Sequence, residues 1–105
     1  MENKLLGLLG LCRRAGKLTL GFDATKDAVL AKSATLVLVT EDSSERTSRE
    51  CERLSKENGC AFQKLPFSME AVHVFIGKRS AVLGVCDAGF SGALQKALKN
   101  SENNL

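Results

Sequence analysis

Leu5, Leu8, Leu9 and Cys12 recur at i, i+3, i+4 and i+7, the spacing of one apolar helix face. This predicts a helix over residues 2–15, with Leu6 and Leu11 widening the face and Gly16 in the place of a C-terminal glycine. Leu18, Thr19 and Leu20 read as a short strand, Gly21 as a turn, and residues 22–32 as a helix. In that helix Ala24, Ala28 and Ala31 are expected to form a flat face against a sheet, with Val29 beside them. Residues 36–40 are apolar without polar alternation, which marks a strand covered on both faces. The strand stops at Glu41 and Asp42. Asp42 and Glu45 then stand in capping-box spacing for a helix to about Asn58. Thr47, Cys51 and Leu54 are expected to face inward there, and Asn58-Gly59 ends the helix. Residues 60–64 read as another strand, and Ser68 as the N-cap of a short helix through Phe75. After a basic turn at 77–80, residues 81–86 form a second doubly buried strand. The last helix is expected over 89–100, with Phe90, Ala93, Leu94, Ala97 and Leu98 inward.

Helices alternating with short apolar strands predict an α/β fold, a three-layer α/β/α sandwich around a mixed sheet of about four strands. The chain of 105 residues is expected to form one domain over 1–100, with a flexible polar tail at 101–105.

Composition changes this picture little: 44% hydrophobic and 26% charged residues are ordinary for a globular chain and exclude disordered and fibrous classes. The net charge of +3 is modest, but its distribution is uneven. Residues 1–40 hold six basic side chains (Lys4, Arg13, Arg14, Lys17, Lys26, Lys32) against three acidic ones (Glu2, Asp23, Asp27). Part of the excess sits beside Gly21. The leucine-rich start is too short to span a bilayer and runs into Arg13-Arg14 without a cleavage-like site, so neither membrane nor secretion is expected.

The four cysteines are scattered, no C-x-x-C pair occurs, and His73 is the only histidine. A structural metal site and a cofactor are therefore not expected, and thiols among apolar neighbours suit a reducing cytoplasm. His73 lies between Val72 and Val74 and reads as a structural histidine rather than a base for Cys51 or Cys86. Neither G-x-x-x-x-G-K-S/T nor G-x-G-x-x-G is present, so a nucleotide-binding loop is unsupported and an enzyme is not expected.

The Gly21 turn offers different chemistry. A glycine between strand and helix leaves the first helical N–H groups open to a ligand, and their partial positive charge suits phosphate. Arg14 and Lys17 just upstream and Lys26 just inside are the expected phosphate contacts, and Phe22 is placed to pack against an unstacked base. Lys78, in the basic turn, joins them if that turn lies near Gly21 in space.

Three stretches, LGLCRRAGKLTLG, LVLVTEDSSERT and IGKRSAVLGVCDAGFSGAL, give the chain a resemblance to the kink-turn-binding ribosomal protein superfamily of the L-seven-Ae type, and within it to the bacterial YlxQ-like proteins. The resemblance spans nearly the whole chain. It implies a compact α/β/α sandwich that binds structured, ribosomal RNA in the cytoplasm, as a monomer and without catalysis, with ribosomal proteins as further partners. It assigns RNA contacts to the strand-to-helix turn (Gly21, Phe22, Asp23, Lys26, Asp27), the loop after the second strand (Glu41, Asp42) and the loop at 67–72 (Ser68, Met69, Val72). The kink-turn readers show Gly-x-Asn-Glu-x-x-Lys. This chain keeps Gly21 and places Asp23, Ala24 and Asp27 at the other positions, with Lys26 one residue off. An ionised Asp can only accept a hydrogen bond, and it repels phosphate. The alternative reading is a protein-interaction module that has lost specific RNA readout, with the charged face of residues 44–58 as its partner surface.

Overall fold

A computed structural model describes residues 2–103, with side chains described over residues 4–100. The elements follow in the order α1 (Glu2–Arg14), β1 (Leu18–Leu20), α2 (Phe22–Leu30), β2 (Leu36–Val39), α3 (Glu45–Glu57), β3 (Ala61–Lys64), α4 (Met69–Ile76), β4 (Val82–Val85) and α5 (Ala88–Asn103). The expected tail at 101–105 thus falls partly within α5, and residues 104–105 lie outside the described residues.

The four strands form one mixed sheet in the order β1-β4-β2-β3. β4 runs antiparallel to both neighbours, opposing Thr19 and Val37 with Gly84, while β2 and β3 are parallel. Every residue of β2 and β4 is buried, as their unbroken apolar runs require. Successive side chains point to opposite faces and so supply two cores. Leu36, Leu38, Leu83 and Val85 join Leu5, Leu6, Leu9 and Cys12 of α1, Val72 and Ile76 of α4, and Leu94 and Leu98 of α5. Val37, Val39 and Val82 join Ala28 and Val29 of α2 and Cys51 of α3 on the other side. The layers are therefore α1/α4/α5, sheet and α2/α3, the α/β/α sandwich expected from the sequence.

Several details differ from the sequence reading. Ala24 and Ala31 are exposed, and α2 buries Thr25, Ala28 and Val29 instead. Leu11 is also exposed, at 49%, because α1 packs with Leu5, Leu6, Leu9 and Cys12 inward. On α5 Ala93 faces solvent and Ser91 is buried. The N-cap of α3 is Ser44, whose hydroxyl accepts the Thr47 N–H at 3.1 Å. Asp42 does not cap that helix, because its carboxylate is engaged elsewhere.

Candidate functional site

The strand directions decide which loops meet. β1, β2 and β3 all end where β4 begins, so the segments that follow or precede them share one end of the sheet. Hydrogen bonds join them. The Gly21 N–H donates to the Val82 carbonyl at 2.9 Å and the Thr40 N–H to that of Ala81 at 3.0 Å. The Glu41 N–H donates to the Phe67 carbonyl at 2.9 Å. Asp42 closes the set, its Oδ1 accepting the Met69 N–H at 3.0 Å at the start of α4. The Gly21 turn, the Glu41-Asp42 loop, the segment ahead of α4 and the turn at 77–80 are thus neighbours, and Lys78 lies at the same end of the sheet as Gly21.

Gly21 has φ +93° and ψ 160°, a conformation that is essentially glycine's alone. No side chain caps α2, and the space where a Cβ of Gly21 would project is open. Phe22 is half-buried against the α2/α3 core, with Asp23, Lys26 and Asp27 exposed. Lys26 faces α3, where Phe22, Leu30, Arg53, Leu54 and Glu57 complete a shallow groove.

The residues ahead of α4 are tightly bound into the fold. The Ser68 hydroxyl accepts the Ala71 N–H at 3.1 Å as the N-cap. The Thr40 hydroxyl and the Met69 N–H hold the Asp42 carboxyl below its ordinary value. Val72, expected to touch a ligand, is 0% exposed: it points into the core between α4 and the sheet and supports the loop from behind. Arg79, which sequence reasoning passed over as part of a turn, pairs with Glu70 at 2.8 Å. The signal that could have singled it out, its position nine residues after Glu70 across a helix and a turn, has no fixed period.

Arg14 and Lys17 stand elsewhere. Lys17 precedes β1 and accepts the Cys86 N–H on its carbonyl at 2.8 Å, at the far end of β4. Four residue steps along an extended strand separate it from Gly21, about 13 Å at ~3.3 Å per step. Arg14 ends α1 beside it, so the expected single cluster of Arg14, Lys17, Lys26 and Gly21 is split by the length of β1.

The electrostatics of the Gly21 end are correspondingly altered. Lys26, Lys64, Lys78 and Arg79 share this end with five carboxylates, those of Asp23, Asp27, Glu41, Asp42 and Glu70. Along α3, Arg49 pairs with Glu45, and Arg46 with Glu50 at 3.5 Å, a salt-laced solvent face.

The cysteines serve packing. Cys12 and Cys51 are buried, and burial first of all pushes each thiol up to about 11; the Asp87 carboxylate adds to this at Cys12 and that of Glu50 at Cys51. At neutral pH they stay protonated, the form that is neither nucleophile nor metal ligand. Cys51 and His73 lie on opposite sides of the sheet, and His73 stands 3.9 Å from Glu70. Among the described residues no group of three His, Cys, Asp or Glu side chains could hold a metal, and no helix is long and apolar enough to cross a membrane.

No family model matches the chain. The RNA-binding protein YlxQ of Enterococcus faecium is 33% identical to it over 94 residues, which cover 86% of each chain. Among solved structures, a protein of unknown function from Bacillus halodurans superposes with a TM-score of 0.83 at 31% identity, over 89% of this chain and 94% of its own. The Giardia lamblia 15.5kD RNA binding protein superposes with a TM-score of 0.71 over 96% of this chain and 87% of its own. At 14% identity that last likeness is one of fold.

Proposed function

The chain belongs to the YlxQ family of RNA-binding proteins, and on that premise we propose that it binds structured RNA, ribosomal RNA in particular, without catalysing a reaction. The observation that carries the reading is the meeting of three loops at one end of the sheet: the Gly21 turn, Glu41-Asp42, and the segment ahead of α4. Each is short; Glu41-Asp42 is hydrogen-bonded directly to the segment ahead of α4, and the Gly21 turn and Thr40 are both tied to residues 81–82, so together they offer a preformed surface rather than one that must order on binding. In this reading the N–H groups after Gly21 receive a phosphate, Lys26 and Lys78 neutralise the flanking backbone, and Phe22 or Met69 packs on an unstacked base. Asp23 and Asp27 accept hydrogen bonds from base or sugar donors instead of approaching phosphate. The protein acts as a cytoplasmic monomer, where reduced cysteines are stable.

The five carboxylates at this end favour a second reading, a protein-interaction module. Gel shifts of the full chain against total ribosomal RNA and against a kink-turn RNA separate the two. RNA retention that weakens in the Lys26→Glu/Lys78→Glu variant is the expected result. A wild-type chain that shifts neither RNA overturns the proposal and leaves the interaction module.

A further inference from the structure

The basic stretch at the end of α1 remains outside the surface just described. Arg13, Arg14 and Lys17 are all exposed, and among the described residues none makes an ion pair. That distinguishes them from Arg46, Arg49 and Arg79, each of which pairs with a glutamate. Their geometry is fixed by the backbone. α1 closes with the Gly16 N–H donating to the Arg13 carbonyl and the Lys17 N–H to that of Cys12, both at 3.0 Å. Gly16, at φ +73°, turns the chain so that Lys17 emerges directly beside the last helical turn. The Cys12 thiol donates to the Lys17 carbonyl at 3.3 Å from beneath, pinning the turn to the core. The neighbouring carboxylate is Asp87, half-buried, with Oδ2 accepting the Phe90 N–H at 2.8 Å as it caps α5. It is committed to that helix and cannot satisfy three outward cations.

We infer that Arg13, Arg14 and Lys17 form a second contact for RNA backbone, at the end of the sheet opposite Gly21. This rests on the RNA reading above and repairs its electrostatic deficit. The Gly21 end supplies shape and backbone donors but carries more carboxylates than cations, whereas polyanion affinity comes mainly from cations that displace counterions. The other end adds three more cations without ion pairs, gathered in one turn. The separation of about 13 Å exceeds the ~10 Å Debye length at 0.1 M salt, so the two ends act as nearly independent charges. The exposed C-terminal dipole of α1 favours cations here and lowers the cost of holding three together until the RNA arrives.

The test is filter binding of the full chain to total ribosomal RNA over a range of KCl concentrations. Arg13→Gln/Arg14→Gln/Lys17→Gln is compared with Lys26→Gln/Lys78→Gln and with a charge-conserving Arg13→Lys/Arg14→Lys/Lys17→Arg chain. Losing three phosphate contacts should reduce the slope of log affinity against log salt by about 2–3. The charge-conserving variant should keep the wild-type slope. An unchanged slope in the triple glutamine variant, with weaker binding in the Lys26/Lys78 variant, overturns the second contact and leaves the RNA reading standing. No wild-type binding removes both. A triple variant that loses capture of acidic proteins while keeping its RNA slope also overturns the inference, because the cluster would then serve a protein partner.

Discussion

The hydroxyl of Thr25, on α2, hydrogen-bonds that of Thr19, on β1, at 2.8 Å, and Thr19 in turn donates to the Gly84 carbonyl at 3.4 Å. Thr25 is 1% exposed, so this chain of hydroxyls runs through the interior and fixes how α2 sits on the sheet. A buried hydroxyl left without its partner bears the full cost of desolvation, whereas removing both members together is far milder. Thr25→Val should therefore destabilise by about 1 kcal/mol. The Thr19→Val/Thr25→Val double variant should lose less than the two single variants summed. Urea unfolding of the four proteins measures the coupling, and strict additivity would refute it.

Gly84 lies directly under that pair. A Cβ there would overlap the Thr19 hydroxyl and come within 3.0 Å of the Thr25 methyl. Since β4 is the strand between β1 and β2, the sheet cannot give way easily, and α2 would have to lift. Gly84→Ala is expected to cost about 1–3 kcal/mol through overpacking, and adding Thr25→Ser to it should restore part of that loss by removing the methyl. Thermal unfolding of the single and double variants decides this.

Gly21 fails on substitution for the opposite reason. No atom lies within 4 Å of its absent Cβ, but its backbone has φ +93°. Gly21→Ala should cost roughly 1–3 kcal/mol as backbone strain. The alternative is that the turn relaxes and misaims the first N–H groups of α2, in which case stability is kept and RNA affinity falls. Urea unfolding alongside filter binding shows which occurs; a variant unchanged in both would mean that the turn geometry is dispensable.

The Asp42 carboxylate links two loops through the Met69 N–H. Its pKa is lowered from 3.8 by the Thr40 hydroxyl and that N–H, so the bond's contribution is fully present above 3.8 and fades as pH falls through the lower folded value. In an NMR titration the Met69 amide signal should stay fixed from neutral pH to 3.8 and move only below it. In Asp42→Asn the movement should vanish and the amide should exchange faster. Movement near neutral pH would contradict the assignment.

Much of the fold was legible because it depends on local period. The apolar runs of β2 and β4, the alternation of elements and the N-cap at Ser68 are all written in neighbouring residues. What stayed hidden depends on partners distant in sequence. Thr25 lies outside the alanine face expected to pack on the sheet, and only Thr19 and Gly84, 59 residues downstream of Thr25, make it an interior position. Asp42 and Ser44 are both good caps, and the start of α4 decides between them by taking Asp42. The geometry of the candidate site departs from the expectation twice: Val72 is buried, and Arg14 and Lys17, near Gly21 in the chain, are carried by a three-residue strand to the other end of the sheet. Nearness along a β-strand is separation in space, while distant loops such as 41–42 and 67–69 come together.

The strand order has a consequence for how the molecule comes into being. β4, the last strand to be synthesised, sits between β1 and β2, so a growing polypeptide cannot finish its sheet until residue 85 has left the ribosome. Until then β1 and the parallel pair β2/β3 are separate pieces with open edges, which invite pairing with another nascent chain. Acquisition of the native state should thus be a late, single event in translation, triggered when one short apolar segment slots in and joins the two waiting halves.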